Sequence, residues 1–428
     1  MISAPRDFPE LHFYNRAFRL AKILSFVVFF ALLATSLSGG NIFLDYTLAL
    51  ENGQAETILS APPPPQIYDS VYAAFQTESD QAIERLQLDV LPEMDLPPDP
   101  IGRIAAQKKI GVYIHMNNVA NHKVLKAEIA KLQKLQNAAI VFDVKGSFVY
   151  FSSDSAIAKK YGLIKPLYDL PKIIAELQEA GIYTIARVIA IKDPQLAFKN
   201  SSTWLKNPWT GQPALEWVDP TDAEVLEYNH EVIAEIVAAG IDEINLDFIR
   251  YPDKFTSAFL GLTGEQKIHN ILNFVQMVRD TINAQKRNTI LSLDTFAVIP
   301  WEDANQTARA LGQDVRKLAE LADIIAPMLY PSTFSRDNQK YYATGTSFEY
   351  STVYLSLKKY ARLLGSENAK KLRPWIQGFY TTTKQMRDQI SAVFDAGFCG
   401  FTVWDIQNDY SETYKILGEI GVPTNCQA

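Results

Sequence analysis

The sequence predicts an α/β fold, a (β/α)8 TIM barrel preceded by one N-terminal membrane-spanning or signal helix and a Pro-rich linker. Three observations support this. From about Lys108 onward, eight short apolar, β-branched runs alternate with amphipathic helical stretches. Ala-Gly pairs close helices just before strands, at Gly181, Gly240 and Gly397. No GxGxxG opens the first helix, which disfavours a dinucleotide fold. Alternation of this kind implies parallel pairing through right-handed crossovers, and eight units suit a closed barrel better than an open sheet.

The N-terminal elements come first. Residues 1–22 read as a cytoplasmic tail containing Arg16, Arg19 and Lys22. The uncharged run "ILSFVVFFALLATSLS" follows, extended to residues 23–44 as a signal-anchor, and the next stretch carries acids without Lys or Arg. Basic residues before and acids after predict a single-pass bacterial membrane protein with its bulk on the outer side. Secretion after cleavage of a signal peptide is the alternative. Residues 45–107 hold the clusters "APPPPQ" and "LPPDP" and read as a stiff stalk.

The barrel is expected over residues 108–428. Its candidate strands are "KIGVYIHM", "AAIVFDVKG", "YTIARVIAI", "DEINLDFIR", "TILSLDTFAV", "DIIAPMLYP", "LRPWIQGFY" and "GFTVWDI". Between them, "TDAEVLEYNHEVIAEIVAAG" places Val225, Val232, Ile233, Ile236 and Val237 on one helical face, opened by a Thr221/Glu224 capping box and stopped at Gly240. A second helix, "QKIHNILNFVQMVRDTI", lines up Ile268, Ile271, Leu272, Val275, Val278 and Ile282.

Composition limits the function. The 428 residues are 47% hydrophobic and 21% charged, with a formal charge of -7, which argues against nucleic acid as a partner. Two cysteines, Cys399 and Cys426, exclude a disulfide framework; two free thiols are the simpler expectation, and a single Cys399–Cys426 bridge in an oxidising compartment is the alternative. Five scattered histidines form no HxH or HExxH, and no GxSxG occurs, so neither a zinc hydrolase nor a serine esterase is indicated.

Barrel chemistry sits at the C-terminal strand ends. On the fourth strand, alternation turns Asn245 and Asp247 inward and sends Ile244, Leu246 and Phe248 outward. The other strands place Asp143 and Lys145, Arg187, Asp294, Tyr330, Gln377, Trp404 with Asp405, and His115 near the same rim. Glycosidic cleavage needs a carboxylic acid for the leaving oxygen and a second carboxylate for the anomeric carbon or water. Asp247 and Asp294, on adjacent strands, are the candidate pair, with Asp143 beside them. Lys145 reads as an ion-pair partner of Asp143, and Arg250 as a brace for Asp247 or a loop. All six tryptophans fall in the barrel, where rings can stack on sugars. A magnesium site built from Asp143, Asp247 and Asp294 is the metal alternative, and a silent glycan-binding scaffold the non-enzymatic one. No cofactor is expected.

The segments "VFDVKG", "IARVIAIKDP", "WVDP", "DEINLDFIRYP", "LSLDTFAV", "PMLYPS", "RPWIQGF" and "DAGFCGFTVWDIQNDY" resemble, in order and spacing, the domain of unknown function 4015 family of bacterial glycoside hydrolase-like TIM barrels. The resemblance spans roughly residues 109–420. It implies a TIM-barrel glycoside hydrolase; with the predicted outward-facing anchor, the expected substrate is a cell-envelope or extracellular polysaccharide. It points to Asp143, Arg187, Asp247, Asp294 and Tyr330. The family commonly carries further acids after its DVK motif, where this chain has "GSFVYFSSD", so that role is lost or moved to Asp154. Asp405 stands where a related chain often shows Asn.

Overall fold

The computed structural model describes residues 100–253 and 256–426. The expected tail, membrane run and stalk, as far as residue 99, lie outside the described residues. Among the described residues no helix is long and apolar enough to cross a membrane.

Ten strands follow in chain order: β1 (Ile110–Ile114), β2 (Ala138–Lys145), β3 (Tyr183–Ile189), β4 (Trp204–Lys206), β5 (Pro213–Val218), β6 (Glu243–Asp247), β7 (Ile290–Phe296), β8 (Ile324–Leu329), β9 (Trp375–Gln377) and β10 (Phe401–Trp404). Eight of them close a barrel in the ring order β1-β2-β3-β6-β7-β8-β9-β10, every ladder parallel. All eight runs expected from sequence are therefore barrel strands. Strands covered on both faces read as continuous apolar runs, which is why they stand out. The antiparallel hairpin β4–β5, inserted after β3, was not expected.

Local chemistry sets the element ends. Gly181, Gly240 and Gly397 adopt φ of 76°, 96° and 94°, the left-handed turn that releases each chain from helix to strand. Helix Ala223–Ala238 is capped by Asp222, whose side chain accepts from the N–H groups of Glu224 and Val225. The expected Thr221/Glu224 box is absent because Thr221 donates to Asp219 instead, 2.7 Å from hydroxyl to carboxylate. A true capping box opens helix Gly264–Ala284, between Thr263 and Gln266. β6 ends at Asp247, and Phe248 takes φ 55°, so its ring leaves the sheet for Trp217 rather than packing on the helices.

Inward residues fill the barrel in rows. Ala139, Val141, Ile185, Ile290, Ile324 and Ala326 form an apolar plug with Tyr113 and Trp375. Beneath it, at the N-terminal end, Arg373 makes a fork to Glu243: Nη1 donates to Oε2 at 2.9 Å and Nη2 donates to Oε1. Nη1 also reaches the Ala106 carbonyl at 3.0 Å. Ala106 belongs to helix Pro100–Gln107, which sequence assigned to the stalk and which instead forms part of the barrel floor.

At that same end Cys399 and Cys426 are bonded, with Cα atoms 5.0 Å apart. The bridged alternative therefore holds, in place of two free thiols. The chain returns through Thr424–Cys426, and Asn137 holds the Cys426 carbonyl at 3.1 Å, bringing together two residues 27 apart in sequence.

Two stability tests follow from the floor. Glu243→Ala leaves the Arg373 charge buried and alone, and is expected to cost about 3–5 kcal/mol in urea unfolding; a loss under about 1 kcal/mol would contradict the pairing. Reducing the bridge frees a 27-residue separation and should cost about 3 kcal/mol, seen as a lower Tm with dithiothreitol than without. An unmoved Tm would mean that the bridge constrains nothing.

Candidate active site

Register, more than sequence spacing, assembles the mouth of the barrel. Asp143 on β2 lies beside Arg187 on β3, and Asp247 on β6 lies beside Ile189, two residues further along β3. The β6–β7 register pairs Leu246 with Leu293, so Asp247 and Asp294 follow as the next neighbours. Neighbouring strands are about 4.8 Å apart, which brings the four polar side chains together at one end.

Arg187 joins two of the acids. Its Nη1 donates to Asp143 Oδ1 at 2.6 Å, its Nε to Asp247 Oδ2 at 3.1 Å, and its Nη2 also to Asp247 Oδ2. Asp143 Oδ2 accepts from the Tyr113 hydroxyl at 2.5 Å, and Tyr168 donates to the Asp143 carbonyl. Asp247 Oδ1 accepts from its neighbour, the Phe248 N–H, at 2.6 Å. That bond is made where Phe248 turns left-handed, a backbone state uncommon for a bulky residue. Burial alone would lower the Arg187 pKa, but the charges of Asp247 and Asp143 raise it well above its ordinary value.

Asp294 is held differently. Its Oδ1 accepts from Asn245 Nδ2 at 2.8 Å and from the Trp375 indole at 2.6 Å. It is only 3% exposed. Burial pushes its carboxyl well above the usual carboxylate range, Asp247 adds to this, and the bonds from Asn245 and Trp375 with the charge of Arg187 oppose it. The two neighbouring acids thus differ in environment: one is forked by a guanidinium, the other is dry and inclined to keep its proton. Tyr330 lies close enough to feel both; burial raises its pKa far above the phenol value, and Asp294 and Asp247 raise it further. Its ring packs against Trp404, centroids 6.0 Å apart, and against Phe379 at 5.8 Å.

The remaining expected residues are placed as follows. Trp404 and Asp405 line a cleft of about 240 Å³ at this end with Phe379, Tyr380, Ile406 and Gln407. Gln377 accepts from the Ser332 N–H at 3.0 Å and donates to the Phe379 carbonyl at 2.9 Å, tying two mouth loops together. His115 caps helix Met116–Ala120. Arg250 sits among aromatic rings, 4.4 Å from the Phe296 centroid and 5.1 Å from that of Trp217; it braces the loop at Tyr251 and has no ion pair with Asp247. Lys145 is fully buried and pairs with Asp193 at 3.0 Å, not with Asp143, because an irregularity between Asp143 and Lys145 turns it toward the Ile189 carbonyl. Asp154 is exposed and pairs with Lys159.

Sequence reasoning missed Tyr113, Tyr168 and Phe379. Trp375, one of the six tryptophans considered as possible platforms, is buried in the core and serves Asp294. The inward parity of Tyr113 was the available signal. Among the described residues no group of three or more His, Cys, Asp or Glu is arranged to hold a metal ion. The Arg187 guanidinium lies between Asp143 and Asp247, so the magnesium alternative lacks a shared centre for its carboxylates.

The model of the domain of unknown function 4015 family, described as "Putative glycosyl hydrolase domain", matches residues 111–410. Among solved structures, the PgaB (BpsB) glycoside hydrolase domain from Bordetella bronchiseptica shares the fold, with a TM-score of 0.55 and 13% identity over 72% of this chain and 98% of that one. A hypothetical protein from Ruminiclostridium thermocellum is 27% identical over 43% of this chain and 96% of its own, with a TM-score of 0.38. The endo-beta-1,4-mannanase of Thermotoga petrophila aligns at 14% identity over 73% of this chain and 76% of its own, with a TM-score of 0.49. No curated protein matches the chain.

Asp294 generates a pH test. An unfolded Asp titrates near 3.9, so with its pKa raised in the fold, the folded state binds more protons above about pH 4 and stability falls as pH rises through that window. Asn cannot titrate. The stability of Asp294→Asn relative to wild type should therefore increase from pH 5 to pH 8 in urea melts. A relative stability that stays flat over this range would place the charged form of Asp294 in the fold.

Proposed function

Because this chain belongs to that glycosyl hydrolase family, we propose that it is a glycoside hydrolase of a cell-envelope or extracellular polysaccharide, working through Asp247 and Asp294. The observation that carries the reading is the contrast between two adjacent acids, one forked by Arg187 and the other buried against Asn245 and Trp375. Glycosidic cleavage divides its labour in this way.

In this mechanism Asp294 is the general acid. Oδ1 is occupied by two donors, which leaves Oδ2 to hold the proton. As the anomeric C–O bond breaks, that proton passes to the leaving oxygen. Asp247 works as the carboxylate: as a base it takes a proton from the water whose oxygen bonds to the anomeric carbon, or as a nucleophile it forms a glycosyl ester that water then hydrolyses. Arg187 keeps Asp247 oriented, and Asp143 with Tyr113 holds Arg187 from the other side. Tyr330 and Trp404 offer rings beside the acids on which a sugar face can stack.

We also place the domain outside the cytoplasm, anchored by the N-terminal apolar run. The Cys399–Cys426 bridge supports this, since such bonds persist in oxidising compartments.

Asp247→Asn and Asp294→Asn should each lower the turnover of envelope or extracellular polysaccharide by about 10²–10⁴-fold, read as reducing-end release, with far-UV circular dichroism unchanged. Wild-type turnover in either variant removes that residue from the mechanism.

A further inference from the structure

Two sets of exposed apolar side chains stand at opposite points of the barrel mouth. The first follows β9. Tyr380 is 91% exposed and adopts φ 52°, so the chain holds a large ring in water from a backbone state such residues disfavour. It stands edge-on to Phe379, centroids 5.9 Å apart, and both rings line the 240 Å³ cleft with Trp404. Phe379 and Trp404 also pack on Tyr330, which lies near Asp294 and Asp247, so the cleft neighbours the acids.

The second follows β3. On hairpin β4–β5, Trp209 is 73% exposed and Leu215 70%. The hairpin is rooted at the mouth by Trp217, which is buried against Phe248, the residue after Asp247, and lies under Arg250. In the ring order, β3 and β9 are four places apart among eight, which is diametrically opposite. The proposed catalytic pair, Asp247 on β6 and Asp294 on β7, lies on the arc between them, and Arg187 stands on β3 itself. Eight strands about 4.8 Å apart and tilted about 36° close at a diameter of about 15 Å, more than one sugar ring can bridge.

We propose that the mouth binds a polysaccharide lengthwise, with sugars stacked on Tyr380 on one side of the acids and on Trp209 on the other, so that scission falls inside the chain. This rests on the glycosidase reading above and adds to it the substrate class, a linear polymer occupied on both sides of the cut, and an endo mode of action. A pocket closed on one side would suit removal of terminal sugars; aromatic stations on opposite rims suit a chain passing through.

The test uses the full chain carrying Asp247→Asn, which holds polysaccharide without cutting it, in affinity electrophoresis against chitosan, β-1,4-mannan, β-1,3-glucan and alginate. Wild type is scored in parallel for cleavage of the same polymers. Adding Tyr380→Ala or Trp209→Ala should each weaken retention on the bound polymer about five- to ten-fold. Wild type should release oligosaccharides of mixed length from the outset. Unchanged retention in either aromatic variant, or monosaccharide as the sole early product, overturns the two-sided arrangement while leaving the glycosidase reading intact. Neither retention nor cleavage of any of the four overturns both.

Discussion

The shared guanidinium of Arg187 is the constraint around which the mouth is organised. It lies, largely shielded from solvent, between Asp143 and Asp247 and reaches both at once. Burying one cation with two carboxylates is costly unless the bonds are complete. Here the remaining demands are met by Tyr113 on Asp143 and by the Phe248 N–H on Asp247. Each of those groups comes from a different strand or loop, so the electrostatics of the site also fix the relative positions of β1, β2, β3 and β6. Loss of the arginine would leave two like charges facing one another in a dry place.

The barrel interior repeats this logic in rows. The floor has its own fork, Glu243 with Arg373, then an apolar plug, then the Asn245–Asp294–Trp375 contacts, then the Arg187 bridge at the mouth. Barrel cores are usually dominated by branched apolar side chains. In this chain the polar content rises toward the C-terminal ends of the strands, and the Glu243–Arg373 pair seals the opposite end. Asp294 lies beside Asp247 and against a tryptophan, and its carboxyl takes its character from that burial.

The eight barrel strands could be read from sequence because each is an apolar run bounded by a glycine or a polar turn, and parallel strands buried on both sides leave no ambiguity about what they are. Hairpin β4–β5 could not. "WLK" is too short to show a period, and β5 mixes buried Ala214, Trp217 and Val218 with exposed Leu215 and Glu216, the latter at φ 72°. The inward acids were legible through the two-residue alternation of a strand. Their partners were not: Lys145 pairs with Asp193 rather than Asp143 because of a local irregularity in β2, and Trp375 reaches Asp294 across the barrel interior, from β9 to β7 two places away in the ring.

By itself the sequence determined the class of fold, the strand order along the chain and which acids face inward, since these follow from periodicities that each short segment carries within itself. Only the tertiary structure decided the rest: that Arg187 serves two acids, that Asp294 is the dry one, that Cys399 meets Cys426, and that Trp209 and Tyr380 follow strands on opposite sides of the ring. Those outcomes depend on register between strands and on closure of the ring. Both are set by the packing of the whole barrel, and no window of neighbouring residues contains them.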